Sequence, residues 1–407
     1  MSNRADSLEI QRYSDLATNP STNITVMSEP RRIAIVMSRL PRLINPQAMW
    51  LRGLRAALRR IQESGDLLVI ANGTAGSDFV RRGAERLRIP IEETTITADL
   101  GNASPDEVGA IPPQDRALLA TADLVLALQV RTNGNIHRAL QERLARNSPV
   151  EIVDLPETHP RAVRDDLVER GATLWSPSDK AQSALGSCNH SQVVRPSVCE
   201  LVPQLSPDEW TFLSHTTRAC TGRWPCQSAS DYVDSILDDA GDADHSAIAA
   251  LEQIVTQRKL LAASRMIRGG HAVVCLTAVP LLDLPPLRKF QTHRSRWDFE
   301  PYGICIRQQW LQDRGARPVI YGNEATWQSL EQRDRPFFQF TSSPSSSPGT
   351  DWSVEREWRH VGDLDLHELP AADGLLFVRC YEDAVRLSRS SPWPITLWPD
   401  PAEATLD

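Results

Sequence analysis

The strongest constraint on this chain is the alternation of two hydrophobic periods between residues 31 and 155. Short apolar runs of strand length occur at Ile33–Val36, Leu67–Ala71, Ala122–Leu128 and Val150–Asp154. Between them, apolar residues recur at helical spacing: Trp50, Leu51, Leu54, Leu58 and Ile61, then Phe79–Leu87, then Ile136–Leu144. A strand that is apolar throughout must be covered on both faces, and a helix after each strand supplies that cover. The pattern therefore predicts an α/β domain built on a parallel sheet. Arg52, Arg55, Arg59 and Arg60 fall mostly on the other side of the first helix, where they read as a solvated surface.

At 407 residues the chain exceeds one ordinary core and fits two domains with tails. Residues 1–30 are polar and read as a tail, and the first domain is expected over 31–175. Apolar periodicity disappears from 176 to 207, which reads as a linker. A second, mixed α+β domain is expected over 208–397, followed by a tail over 398–407. Its strands are predicted at Phe212–His215, Ala272–Thr277, Gly303–Ile306, Pro318–Tyr321, Glu355–Arg359 and Leu375–Cys380. Helices are predicted at Tyr232–Leu237, Ile248–Met266 and Gln308–Arg314, and Thr341–Thr350 reads as a low-complexity loop.

Composition narrows the function classes. The formal charge of −8 argues against a general binder of nucleic-acid backbones. The longest apolar stretch, Ala122–Val130, is interrupted by Asp123 and Gln129 and falls far short of the roughly 20 residues that span a bilayer. With no signal-peptide pattern, a cytoplasmic protein without a membrane partner is expected. The seven cysteines are odd in number and form no CxxC pair, so reduced thiols are expected and no metal site.

Three turns fall at the carboxyl ends of predicted first-domain strands, where open α/β sheets bind ligands. They carry Ser38 and Arg39; Gly73, Thr74, Gly76, Ser77 and Asp78; and Arg131, Thr132 and Gly134. Glycines let backbone approach a ligand, and the helix that follows aims free N–H groups at an anion. Hydroxyls donate to phosphate and arginines pair with it. Asp78 is expected to cap its helix. A side chain at Gly76 is expected to weaken ligand binding more than folding. Neither GxxxxGK[ST] nor GxGxxG occurs.

The strings IAIVMSR, NGTAGSDFVRRGAERLRIP and DRALLATADLVLALQVRTNGN resemble the SLOG superfamily, the Rossmann-like group of LOG and DprA-like proteins. The resemblance implies a Rossmann-like fold and binding of a nucleotide, a nucleotide-derived signal or DNA. The enzymatic LOG branch carries PGGxGTxxE where this chain reads NGTAGSD, so binding rather than hydrolysis is implied.

In the second half, LSHTT, EPYGICI and EREWR resemble the ADP-ribosyltransferase fold in its His-Tyr-Glu form. Matched residue by residue, this implies catalytic roles for His215, Tyr302 and Glu357, with NAD as cofactor. VVCLTAVPL, RWDFEPYGICIRQQWL, GARPVIYG and EREWRHVGDLDL resemble the AbiGi/DUF2971-like group of phage-defence settings. The same residues also read structurally: His215 as a core histidine, Tyr302 as a turn residue, and Glu357 as one half of a cross-strand ion pair. The stretch Arg288–Trp297 reads either as a nucleic-acid contact or as a loop over a pocket.

Together these readings lead to a nucleotide-sensing effector of bacterial stress or phage defence, with NAD-dependent ADP-ribosyl transfer or NAD cleavage as its chemistry. The alternative is a non-enzymatic regulatory module that binds nucleotide and protein. Expected partners are a small nucleotide, a protein or nucleic-acid acceptor, and a second copy of the chain.

Overall fold

The computed structural model of the chain describes residues 29–94, 111–185, 198–265, 267–291, 296–341 and 352–399. The predicted runs at Ile33, Leu67, Leu124 and Val150 become β1 (Arg32–Met37), β2 (Leu67–Ile70), β4 (Leu124–Gln129) and β5 (Val150–Val153). Two further strands, β3 (Ile91–Glu93) and β6 (Thr173–Trp175), close the edges. All six are parallel in the order 3-2-1-4-5-6. That is the doubly wound order, with its reversal between β1 and β4.

Alternation along β1 sorts the two cores. Ile33, Ile35 and Met37 face α1 (Met49–Ser64) and α2 (Ser77–Leu87). Ala34 and Val36 face α3 (Pro113–Thr121), α4 (Asn135–Ala145) and α5 (Arg161–Glu169). Parallel pairing with helices on both faces explains why these strands read as unbroken apolar runs.

The second sheet has seven strands, in the order β13 (Arg317–Pro318), β16 (Glu357–Val361), β9 (Val273–Thr277), β7 (Phe212–Thr216), β12 (Gly303–Arg307), β18 (Gly374–Val378), β19 (Ile395–Leu397). Every pairing is antiparallel except β18 with β19. Short pairs decorate it: β8 (Lys259–Leu260) with β17 (Leu364–Asp365), β10 (Phe290–Gln291) with β11 (Arg296–Trp297), and β14 (Ile320–Gly322) with β15 (Phe338–Phe340). The remaining helices are α6 (Asp179–Gln182), α7 (Ala229–Asp238), α8 (Ala247–Gln257), α9 (Gln308–Asp313), α10 (Glu324–Ser329) and α11 (Tyr381–Leu387). The chain is thus α/β: a Rossmann-like parallel sheet followed by a mixed α+β half.

Three expectations need correction. The helix expected over Ile248–Met266 stops at Gln257, because Arg258 turns left-handed (φ 47°) and residues 259–260 pair as a strand instead. The arginine face of α1 is not a solvated surface. Arg55, 2% exposed, donates to the carbonyls of Ile236 and Leu237 at the end of α7. Arg59 donates to the carbonyls of Ala181, Ser183 and Ala184, inside the stretch read as a linker. Nor does α7 stand apart from the first sheet: Val233, Ile236 and Leu237 join the core of α1 and α2, and Arg82 and Arg86 pair with Asp234. Residues 342–350 of the low-complexity loop lie outside the described residues, as do residues 1–28 and 400–407 of the tails.

Candidate nucleotide site and a second cleft

The turns after β1 and β4 are tied to each other. The backbone N–H of Ser38 donates to the Gln129 carbonyl at 2.7 Å, and the Ser38 hydroxyl accepts from the Arg131 N–H at 3.0 Å. Ser38 is 6% exposed, and among the described residues its hydroxyl proton has no acceptor. Gly134 stands at the N-cap of α4 without a side-chain cap, and the first turn of that helix holds no acid. Its free N–H groups and positive dipole end therefore remain available to an anion. Arg39, Arg131 and Thr132 are exposed at the same edge, and neither guanidinium has a partner among the described residues.

A residue that sequence reasoning missed holds this turn. His137, 6% exposed, accepts from the Asn133 N–H through Nδ1 at 3.3 Å and donates from Nε2 to Asp166 at 3.0 Å. The carboxylate fixes the tautomer, and the imidazole then fixes Asn133 in its left-handed conformation (φ 55°). The signal was a histidine one turn beyond an Asn-Gly pair.

The turn after β2 is built differently. Thr74 donates its hydroxyl to the Ala71 carbonyl at 2.9 Å, inside its own turn. Gly73 is left-handed (φ 82°), with open space where a side chain would begin. Gly76 is also left-handed and packs against Met37. Ser77 begins α2. Asp78 is not its cap: the N-cap is Gly76, and the exposed Asp78 lies in the first turn without a capping hydrogen bond. Its charge already complements the α2 dipole, which makes that helix end less receptive to phosphate than the end of α4.

The same sheet edge continues into a cavity of about 840 Å³ beyond β5, lined by Asp154, His159 and Arg164 among others. Desolvation, with the Arg164 charge adding to it, pushes the His159 imidazole down to about 4.

In the second sheet, β7 and β9 are paired only at Ser214 and Thr277, and a cleft of about 640 Å³ opens beside that junction. His215 and Glu357 both line it. His215 donates from Nδ1 to the Cys275 carbonyl at 2.9 Å; a carbonyl can only accept, so the proton is on that nitrogen. Desolvation, with Arg218 adding to it, lowers its pKa, so the ring is neutral near neutrality. Glu357 is bound by Arg359 through both oxygens, at 2.9 and 3.2 Å. Arg359 is 1% exposed and also donates to the carbonyls of Pro336 and Phe338 and to Gln339. Desolvation, with the Glu357 charge adding to it, pushes the Cys275 thiol up to about 12.

Tyr302 does not join them. It packs against the core beneath the sheet, and its hydroxyl donates to Asp383 at 2.9 Å. The expected convergence of histidine, tyrosine and glutamate is therefore reduced to two residues, one of them a rung between strands and the other held by a buried arginine. Within the Arg288–Trp297 stretch, residues 290–291 and 296–297 pair antiparallel as β10 and β11, and residues 292–295 lie outside the described residues. The Arg288 guanidinium lies 4.1 Å from the centre of the Trp297 ring and pairs with Glu300 at 3.5 Å. Among the described residues no helix is long and apolar enough to cross a membrane, and no group of three or more His, Cys, Asp or Glu is placed to hold a metal ion.

Solved structures similar to this chain cover rather more than a third of it, 36% to 38%. The Moco carrier protein of Chlamydomonas rheinhardtii is 9% identical, with a TM-score of 0.28, over 36% of this chain and 90% of that one. The molybdenum cofactor binding protein from the phototrophic bacterium Rippkaea orientalis is 12% identical, with a TM-score of 0.26 and the same two coverages. DNA processing protein A from Streptococcus pneumoniae is 11% identical, with a TM-score of 0.28, over 38% of this chain and 61% of that one. No protein-family model and no curated protein matches the chain.

Proposed function

We propose that this chain is a nucleotide-binding regulatory protein, in which the phosphate of a small nucleotide sits between the turns after β1 and β4. One observation carries the reading. At the reversal of strand order, the buried Ser38 hydroxyl, the exposed guanidiniums of Arg39 and Arg131 and the acid-free N-terminus of α4 share one edge. Each is an element that favours an anion, and open α/β sheets take ligands at this point. The second half would read occupancy through α7, which is packed on α1 and α2. Bacterial stress or phage defence is the setting that the sequence resemblances imply for it. Mass spectrometry of small molecules released from purified protein, followed by calorimetric titration of the nucleotides found, tests this. Binding that survives Arg131→Ala unchanged at low salt would place the ligand elsewhere.

An enzymatic reading has one observation in its favour, the shared cleft of His215 and Glu357. On that reading NAD enters the cleft and its nicotinamide bond is cleaved, with ADP-ribose passing to an acceptor or to water. Nicotinamide release by the full chain, with and without nucleotides, is the deciding measurement. Its absence leaves the regulatory reading as the account of both halves.

A further inference from the structure

A sheet edge is a row of unpaired backbone groups, and folded chains blunt it with charge, with proline or with cover. Three of the four edges of the two large sheets follow that rule. On β3, Glu92 and Glu93 are held by Arg32 at 3.1 Å and by Arg81 at 2.6 Å. On β13, Arg317 pairs with Asp334 at 2.9 Å, and Pro318 has no N–H to offer. Along β19, Leu201 bridges to Ile395, and the Val202 N–H donates to the Ile395 carbonyl at 2.9 Å. The fourth edge, β6, reads Thr173-Leu174-Trp175, with neither charge nor proline, and among the described residues it pairs with β5 alone.

The register of β6 says which groups are free. The Trp175 carbonyl accepts from the Asp154 N–H at 2.7 Å, so Trp175 turns its backbone groups toward β5. Alternate residues of a parallel strand turn opposite ways, so the N–H and C=O of Leu174 point outward together. Trp175 packs on the α1 side, under the Arg60 guanidinium, which leaves the Leu174 side chain on the α5 side. There it lines the cavity of about 840 Å³ beside Val168, and the two are 41% and 39% exposed.

The outer face of α5 carries charges in an order that complements itself. Arg161 stands at its N-terminal end, Asp165 one turn on and Glu169 at its C-terminal end, all exposed. Asp165 is partnered by Arg161 of its own helix at 3.6 Å, and Arg164 by Asp154 at 3.1 Å. Glu157 stands on the loop before the helix. Turned end for end, such a helix sets its basic end against an acidic one.

We propose that the free edge of β6 and the outer face of α5 form a two-fold interface between two copies of this chain, with Leu174 against Leu174. Antiparallel pairing about an axis through Leu174 makes these residues a hydrogen-bonded pair, each giving one N–H and accepting one. The same axis lays the two α5 helices side by side and antiparallel on one face of the joined sheet. Val168 and Leu174 of both copies then close into one apolar cluster, and Arg161 meets the partner's Glu169. This interface is independent of the proposed nucleotide site, which lies at β1 and β4.

The test is the mass of the full chain in solution, measured by light scattering over a range of concentrations. Wild type should be a dimer. Leu174→Arg sets two cations against each other at the axis and should raise the dissociation constant of the dimer about a hundredfold or more. Leu174 is exposed, so circular dichroism and the urea midpoint of the monomer should be unchanged. Arg161→Glu should weaken the dimer about tenfold, and Arg161→Glu/Glu169→Arg should restore it, because the reversed pair is again complementary. A wild type that is monomeric at every concentration overturns the proposal. So does a Leu174→Arg protein that dimerises like wild type, or a double reversal that leaves the dimer as weak as Arg161→Glu alone.

Discussion

A side-chain carbon placed on Gly76 would lie 2.4 Å from the sulfur of Met37. Met37 ends β1 and is 1% exposed, so the turn after β2 is folded down onto the core rather than held above it. Gly76 is also left-handed (φ 76°). Gly76→Val therefore meets both overpacking and backbone strain, and it should lower stability by about 2–5 kcal/mol. This reverses the expectation that the position matters more to binding than to folding. Gly73→Ala is the control: the backbone is equally left-handed (φ 82°) but no atom lies within 4 Å, so the loss should be about 1–2 kcal/mol. Urea unfolding of both variants measures the difference, and equal losses would clear Met37 of any part in it.

Arg131 contributes its backbone N–H to Ser38 and leaves its guanidinium exposed. Arg131→Ala keeps the latch and removes only the charge. Nucleotide affinity should fall about tenfold at low salt, with a shallower dependence on ionic strength. Arg131→Lys should recover part of the affinity, because it restores charge without the planar fork. Titration of the three proteins at two salt concentrations is the measurement. Identical salt slopes would mean that this side chain faces solvent alone.

The first sheet was legible because its strands are buried on both faces, which writes Ile33–Val36 and Leu124–Leu128 as unbroken apolar runs. Edge strands carry no such mark. Ile91–Glu93 pairs on one side only and reads as polar chain, and it was missed. The site was legible in its turns but not in its supports. Ser38, Arg131 and Gly134 announce themselves beside strands, whereas the bond from His137 to Asp166 spans 29 residues and two helices. Arg55 misled for a similar reason. Its helical position reads as surface until α7, 181 residues away, brings its own carbonyls to it. Nothing local encodes which charged face a distant helix will cover.

Glu357→Gln separates the structural role of this carboxylate from a chemical one. Arg359 is 1% exposed, and Glu357 is its only ionic partner among the described residues. Removing that charge leaves a buried guanidinium with neutral acceptors. Stability should fall by about 2–4 kcal/mol, somewhat less than for a fully buried pair because glutamine still accepts a hydrogen bond. A catalytic glutamate predicts the opposite profile, an intact fold and nicotinamide release cut by roughly 10². Unfolding and nicotinamide release measured on the same preparation distinguish the two. A variant as stable as wild type would mean that the Arg359 carbonyl contacts suffice.

Three desolvated histidines give the fold an acid-sensitive window. Desolvation lowers the pKa of His159, to about 4, and also those of His215 and His245. In the unfolded chain each takes up a proton near about pH 6.5, while the folded protein still resists it. Stability is therefore full above about 6.5 and falls as the pH drops toward 4, because the unfolded state binds more protons there. The depressed carboxyl of Asp66 adds a second loss below its unfolded value of about 3.9: desolvation opposes its ionisation, but Arg31 and Ser64 overcome that. The two contributions occupy different windows, so His159→Gln should flatten the slope between pH 6.5 and 4 and leave the loss below it in place. Urea midpoints of both proteins at pH 7, 5 and 4 test this. Parallel curves down to pH 4 would show that His159 titrates in the folded protein as it does in the open chain.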